Sequence, residues 1–219
     1  MRTPTIVQHT RDIQARKQNI LYQPCRRLEK TEILSLEFQK FIKEMHHAMN
    51  IFNGIGIAAN QIGHSIQTFM IEAQSDNPRY AVLGAVPFQT FINPKITRAS
   101  STLYNFWHGC LSAEGEKRGN VATYEWVEYE CLDENAELKK GRLDGLAAVI
   151  FQHEFRHLLG HTYLDRASEF LSKEELEEEI NNKTQFFYEK SSSKLPHLIG
   201  DYRVGDSLED FYKTNSSRR

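Results

Sequence analysis

The sequence predicts an α+β fold in which antiparallel or mixed strands surround a central helix, with a helical tail at the C-terminus. Residues 143–160 carry apolar side chains at spacings of three, four and seven, as a buried helix does. Shorter segments before it have the composition of strands, and one strong helix precedes them. Helices and strands therefore do not alternate as they do in a repeating β–α–β fold.

The first part of the chain is predicted to be irregular and then helical. Residues 1–30 show no clear period. From Leu34 to Phe52 the apolar side chains keep the spacing of an amphipathic helix, and the turn pair Asn53-Gly54 ends it.

Three strands are predicted between this helix and the central one. Thr68–Ala73 and Phe88–Ile96 are separated by the turn-forming residues 75–78. In Trp126–Leu132 large and acidic side chains alternate, which is typical of an antiparallel strand with one solvated face. Asp133-Glu134-Asn135 then turns the chain toward the central helix.

The central helix carries the most informative pattern of the sequence. Asp144 is suited to cap its start, and Gly160 follows its last periodic residue. His153 and His157 continue the apolar face and lie one turn apart, so both imidazoles can reach one metal ion. Glu154 can then accept a proton from water activated by that ion. The alternative to a metal site is an ordinary helix in which the two histidines are capped by hydrogen bonds or solvated.

The composition limits the classes of partner and the compartment. The chain has 219 residues, enough for one core with an appendage, and a formal net charge of −2 that gives no support for binding nucleic acid or an anionic membrane. Its three cysteines are too few for a disulfide scaffold and indicate a reducing compartment. No apolar run approaches the roughly 20 residues that span a bilayer. A cytoplasmic location is predicted.

The composition changes beyond Arg166, which predicts a catalytic domain over residues 1–166 and a tail over residues 167–219. The tail opens with the capping box Ser172-Lys173-Glu174-Glu175 and continues as an acidic helix toward Lys190. Its polar end is expected to be partly disordered.

A catalytic metal site usually has three protein ligands and an open position. Glu174, Glu175 and Glu177 follow the histidines, but a solvated helix face explains them better. Cys110 precedes the histidines, and a thiolate is a strong ligand for zinc or ferrous iron. On its own, Cys110 would be interpreted as a small buried side chain.

A glycine-containing loop, residues 54–61, completes the pattern. It is a poor phosphate-binding loop, because it follows a helix and has no lysine. Its two glycines would instead let an extended peptide approach the backbone, and the Gln61 amide offers a hydrogen-bond donor.

Together these segments resemble the peptide deformylase family, whose patterns are Gly-x-Gly-x-Ala-Ala-x-Gln, Glu-Gly-Cys-Leu-Ser and Gln-His-Glu-x-Asp-His-Leu. Residues 54–61 match the first pattern completely, whereas residues 108–112 and 152–158 each miss one position. The resemblance covers roughly residues 20–166. It implies a deformylase-like fold and removal of the N-formyl group from the N-terminal methionine of nascent polypeptides, with release of formate.

The resemblance also implies the roles of individual residues. The implied metal ligands are Cys110, His153 and His157. Glu154 would be the general base and later the proton donor to the leaving amine, while the Gln61 side chain and the Leu111 backbone N–H would hold the oxyanion. The implied substrate-binding residues are Ile55 and Gly56 for the peptide backbone, Val149 and Ile150 near the first side chain, and Arg118. The implied cofactor is Fe²⁺, for which Zn²⁺, Ni²⁺ or Co²⁺ can substitute.

Three positions depart from the family pattern. His108 replaces the glutamate of the second motif, Arg156 replaces the aspartate of the third, and Thr123 replaces an arginine that would pair with that glutamate. For His108 we consider a structural replacement, which is favoured, a hydrogen bond to a ligand, and a fourth ligand that closes the site. Arg156 is expected beside the ligands or on the surface, where it would serve an acidic substrate group.

The predicted function is that of a deformylase acting on formyl-Met peptides. The alternatives are a related protein that binds formylated or other peptides without turnover, and a general metallopeptidase, which lacks a downstream third ligand here. No nucleic-acid or membrane partner is expected. The largely acidic stretch 174–179 predicts weak or absent electrostatic docking to the ribosome.

Overall fold

The computed structural model describes residues 4–74, 84–182, 188–191 and 195–215. Its α-helices are α1 (Ile13–Arg16), α2 (Lys30–Ile33), α3 (Leu36–Ile51), α4 (Gly145–Leu158), α5 (Lys173–Asn181) and α6 (Leu208–Asn215). Its strands are β1 (Gly56–Ala58), β2 (Thr68–Ala73), β3 (Val86–Ala99), β4 (Leu103–His108), β5 (Arg118–Tyr124), β6 (Trp126–Leu132), β7 (Leu138–Asp144), β8 (Glu169–Leu171) and β9 (Tyr188–Lys190). None of the helices in these ranges is long and apolar enough to cross a membrane.

The strands form two antiparallel sheets with α4 packed against both. One sheet has the strand order β1-β2-β3-β6-β7 and the other has the order β8-β5-β4-β9. The helix contacts β1, β2 and β7 of the first sheet and β5 of the second. The predicted α+β fold around a central helix is therefore confirmed.

Aromatic packing fixes the face of α4 that points into the core. The Phe151 ring lies 5.0 Å from that of Phe69 and 4.9 Å from that of Phe91, both in edge-on contact, and 5.6 Å from that of Tyr129. Edge-on pairs of this kind add about 0.5–1.5 kcal/mol beyond the area that they bury. With Phe151 anchored, the histidines of α4 point to another side of the helix.

Several predicted elements coincide with the observed ones. The first amphipathic helix is α3, which Ser35 caps by accepting a hydrogen bond from the Phe38 backbone N–H. The strands predicted at 68–73 and 126–132 have the observed bounds, and the one at 88–96 extends to Val86–Ala99. The turn residues 75–78 lie outside the described residues.

The start of α4 differs from the prediction in one detail. Asp144 occupies the N-cap position, but its side chain accepts no hydrogen bond from the helix. Its carboxylate instead accepts hydrogen bonds from Arg142, the nearest at 2.8 Å. Gly160 adopts the left-handed backbone conformation (φ 79°) that ends the helix, as predicted.

The C-terminal part of the chain is more closely built into the fold than its composition indicates. The helix predicted to run toward Lys190 ends at Asn181, and residues 188–190 form β9, which pairs with β4. Leu198, Ile199, Leu208 and Phe211 are buried in the same hydrophobic cluster as α4. The sequence did not reveal this burial, because polar residues separate these apolar ones and leave no period to detect. The domain boundary at residue 166 stays a prediction.

Candidate metal centre and active site

Three side chains from two elements meet at one point. His153 and His157 project one turn apart from α4, and Cys110 lies in the loop after β4. One donor atom from each residue lies within 4.8 Å of the other two, and Cys110 Sγ is 3.1 Å from His157 Nε2. One thiolate and two imidazoles are a set that suits zinc or ferrous iron and leaves a coordination position open.

The environment of these side chains fits a cation. Burial lowers the pKa of His153 to about 4 and that of His157 well below its ordinary value, so both rings are neutral near pH 7 and offer lone pairs. Burial, together with Glu154, raises the pKa of Cys110 to about 12. A thiolate in this environment therefore needs a metal ion to hold its charge.

The Gln61 side chain has a fixed orientation toward this cluster. Its Oε1 accepts a hydrogen bond from the Ala58 backbone N–H at 2.8 Å. Its Nε2 therefore points the other way, 3.1 Å from Ser112 Oγ and 3.4 Å from Cys110 Sγ. A donor group held this way needs no reorganisation before it can bind an oxygen atom that acquires negative charge.

Glu154 is buried beside the cluster, and Gly56 makes room for it. A Cβ atom at position 56 would lie 2.5 Å from Glu154 Oε1 and 2.8 Å from Ile150 Cγ2. Burial raises the pKa of the Glu154 carboxyl well above its ordinary range. Its Oε2 has no hydrogen-bond partner among the described residues, so the carboxyl group can serve a ligand.

A cavity of about 920 Å³ lies in front of these groups. Among the predicted site residues, all except His157 line it, namely Ile55, Gly56, Gln61, Cys110, Leu111, Arg118, Val149, Ile150, His153 and Glu154. His157 is completely buried behind them. The structure thus brings together residues from widely separated parts of the sequence, whose individual roles stay predictions.

Comparison with known proteins identifies the family. A family model described as polypeptide deformylase matches residues 10–173. A peptide deformylase from Leptospira biflexa is 36% identical over 147 residues, which are 67% of this chain and 82% of that relative. The chain belongs to the polypeptide deformylase family. It is a metal-dependent hydrolase. The general metallopeptidase alternative is wrong, because the matching family model and the relatives are deformylases.

Solved deformylase structures agree with this assignment. The class I type b enzyme of Acinetobacter baumannii with Met-Ala-Ser bound has a TM-score of 0.67 at 27% identity and covers 74% of this chain and 97% of its own. The enzyme of Synechococcus elongatus in complex with actinonin has a TM-score of 0.63 at 29% identity, covering 85% and 90%. The deformylase fold predicted from the sequence is confirmed.

The first departure of this deformylase from its family pattern, His108, contacts a predicted metal ligand. His108 ends β4 and is buried, and its Nδ1 lies 3.1 Å from His153 Nδ1. Burial, with His153 and Arg118 nearby, lowers the pKa of His108 well below its ordinary value, so the ring is neutral. The three converging donors found among the described residues do not include His108. The geometry favours a hydrogen bond to the ligand over the fourth-ligand and purely structural alternatives.

This contact determines which nitrogen of His153 faces the cluster. Since Nδ1 of His153 is turned to His108, its Nε2 is the nitrogen left for a metal ion. A neutral His153 that ligates through Nε2 carries its proton on Nδ1. This N–H donates a hydrogen bond to His108 Nδ1.

The second departure, Arg156, points away from the cavity. Its Nη1 donates to both carboxylate oxygens of Asp201, at 2.6 and 2.8 Å, and Arg166 Nη2 lies 3.1 Å from the same carboxylate. Arg156 is buried in this pair. The expectation that it serves an acidic substrate group is therefore wrong, because Asp201, in the C-terminal segment, neutralises it. Thr123 is also buried, and its hydroxyl donates to the Tyr104 carbonyl at 3.4 Å.

One wall of the cavity is not predicted from the sequence. Five residues of α5 line it, namely Lys173, Leu176, Glu177, Ile180 and Asn181. Glu177, which the sequence assigns to a solvated helix face, has a side chain that is 62% exposed and still lines this wall. The available signal was the four-residue spacing of Leu176 and Ile180 inside an acidic run, which marks one apolar face.

We predict that His108→Ala weakens metal binding by about 10–100-fold, because His153 loses the partner that orients its ring. His108→Asn should stay within a few-fold of the parent, since its Oδ1 can accept the same hydrogen bond. Competition with a chromogenic chelator for Zn²⁺ measures both. Equal affinity in the alanine variant and the parent would show that the contact does not hold His153.

We predict that Asp201 contributes to the loss of stability in acid. Burial acts to raise its pKa, but Arg156 and Arg166 outweigh burial and lower it. A lowered folded-state pKa gives stability that is present above the unfolded pKa of about 3.9 and is lost as the pH falls through the folded value. Below about pH 4 the parent should lose unfolding free energy more steeply than Asp201→Asn, as measured by urea denaturation across pH. Parallel curves would contradict this.

Proposed function

We propose that this deformylase removes the N-formyl group from the N-terminal methionine of nascent polypeptides through the residues around the 920 Å³ cavity. The observation that carries the proposal is the convergence of Cys110, His153 and His157 donors beside Glu154 and Gln61. Membership of the family supplies the reaction, a hydrolysis that releases formate and a free N-terminal amine.

The three converging donors are the proposed metal ligands. A divalent ion there supplies Lewis-acid chemistry, since it lowers the pKa of water and polarises a carbonyl oxygen. We propose Fe²⁺ as the ion, with Zn²⁺, Ni²⁺ or Co²⁺ able to substitute. The mixed sulfur and imidazole set supports an ion of this class over magnesium or calcium, which prefer oxygen ligands.

Glu154 is proposed to move the proton. Its carboxylate takes the proton from the attacking water and delivers it to the amine nitrogen as the bond to the formyl carbon breaks. Burial raises the pKa of this carboxyl well above its ordinary range, which helps it to keep the proton between the two steps. The space left by Gly56 keeps the carboxylate within reach of the substrate backbone.

Gln61 and the backbone N–H of Leu111 are proposed to hold the formyl oxygen as it becomes negative. The hydrogen bond from Ala58 aims the Gln61 Nε2 at the cluster. Each donor of this kind is worth about 3–4 kcal/mol of transition-state stabilisation. Ile55 and Gly56 would align the peptide backbone, and Val149 and Ile150 would contact the first side chain. Arg118, which lines the same cavity, would also bind the substrate.

The cellular setting is also a proposal. All three cysteines are free in the structure, which supports a reducing compartment such as the cytoplasm. Helix α5 carries the acidic residues of the segment 174–179, which favours weak or absent electrostatic docking to the ribosome. Salt-sensitive co-sedimentation with ribosomes would contradict that part of the proposal.

We predict that Glu154→Ala lowers formate release from a formyl-Met peptide by about 10²–10⁴-fold, the typical contribution of a general acid–base residue. The assay uses anaerobically purified, iron-loaded protein, with metal content measured in the same samples. Glu37→Ala, an exposed change in α3, is the control and should keep full activity. A parent protein that holds metal but releases no formate would support the binding protein without turnover and overturn the proposal.

A further inference from the structure

Helix α5 presents one face to the cavity in front of the metal cluster. Its five lining residues, at positions 173, 176, 177, 180 and 181, recur at spacings of three and four, so they form a single stripe along the helix. The acidic residues Glu174 and Glu178 lie outside this stripe and are exposed. The helix therefore has one side that faces solvent and one side that lines the cavity.

Leu176 is the centre of that face. Its side chain is only 3% exposed, yet neither of the two hydrophobic clusters found among the described residues includes it. Ile180, one turn later, is half-buried and also lines the cavity. Leu176 is thus buried at the cavity wall and does not contribute to the core that stabilises the two sheets.

Local contacts hold α5 in this place. The strand before it, β8, pairs with β5, which begins at the cavity-lining residue Arg118. Ser172 caps the helix, because its hydroxyl accepts the Glu175 backbone N–H at 3.0 Å and Glu175 Oε2 accepts the Ser172 backbone N–H at 2.6 Å. Lys117 lies 3.5 Å from Glu175 on the outer side.

The other apolar walls of the cavity come from the main fold. Phe106 of β4 and Val149 and Ile150 of α4 line it near His153. An apolar subsite this close to the ligands is suited to the first side chain of a formylated peptide, whose formyl group must lie at the cluster. Lys173 and Glu177 lie 4.0 Å apart at the same wall, and their opposite charges balance.

We propose that Leu176 and Ile180 of α5 close the apolar subsite for the first side chain of the substrate and set how large that side chain can be. The inference rests on the proposed function, and it gives a role in substrate selection to a helix of acidic composition. Since the two charges at this wall balance, size and apolar contact select the substrate here, and charge does not.

Peptides that differ only in the first side chain test the proposal. The parent, Leu176→Ala and Ile180→Ala are assayed for kcat/KM on formyl-Met-Ala-Ser and formyl-Phe-Ala-Ser. Both variants should raise the ratio of formyl-Phe to formyl-Met turnover, Leu176→Ala by about tenfold, the size of effect that one or more methylene groups have in an apolar pocket. A loss of folded protein lowers both rates equally and leaves the ratio unchanged.

Two comparisons make the result specific. Glu178→Ala, on the exposed side of α5, should keep the parental ratio. In a second peptide series, formyl-Met is constant and the second residue varies. The relative kcat/KM values across this series should be the same in the parent and in the variants. An unchanged first-residue ratio in both wall variants would overturn the inference, as would a change confined to the second residue.

Binding of the product peptides separates this inference from the proposed function. Calorimetry with metal-loaded protein compares the affinities of Met-Ala-Ser and Phe-Ala-Ser, and it requires no turnover. Suppose that the parent binds these peptides but releases no formate, and that Leu176→Ala shifts the affinity ratio toward Phe-Ala-Ser. This result would overturn the proposed reaction and would still support the role of α5 in selecting the first side chain. If the enzyme is active but the affinity ratio is the same in all variants, only the role of Leu176 and Ile180 in substrate selection would be overturned.

Discussion

The structure depends on the burial of one helix that carries polar side chains into the core. Twelve of the 14 residues of α4 are buried, among them Gln152, His153, Glu154, Arg156 and His157. A buried polar group without a partner costs several kcal/mol, so each of these side chains needs a partner from the surrounding chain or a ligand. The way each one is satisfied accounts for most of what is specific to this protein.

Gln152 and Arg156 are satisfied by the protein itself. The Gln152 amide exchanges hydrogen bonds with the Tyr124 backbone, at 2.8 and 2.9 Å, and so joins α4 to the end of β5. Arg156 is satisfied by Asp201 from the C-terminal segment, which also packs Leu198 and Phe211 into the core around α4. The charge reversal at position 156 is therefore coupled to a segment that follows the family match, which ends at residue 173.

His153, Glu154 and His157 lie at the cluster of candidate ligands, where we propose that a metal ion and a substrate satisfy them. Because α4 is held on its other side by the contacts of Phe151, these groups keep a fixed position relative to Cys110 and Gln61. Placement of this kind lowers the reorganisation that catalysis requires. His108 also helps to place these groups. Its neutral ring stands where the family pattern has a carboxylate, and it contacts His153 without adding a charge to the core.

The sequence by itself determined the central helix, the three strands at 68–73, 88–96 and 126–132, the deformylase family and the three candidate metal ligands. These features depend on local period and on motifs whose residues are close in sequence, so a single chain reveals them. Only the tertiary structure decided that His108 contacts His153, that Asp201 neutralises Arg156 and that α5 walls the cavity. Each of these contacts joins residues that lie far apart in sequence and follows no period, because it depends on how the sheets and the C-terminal segment pack around α4.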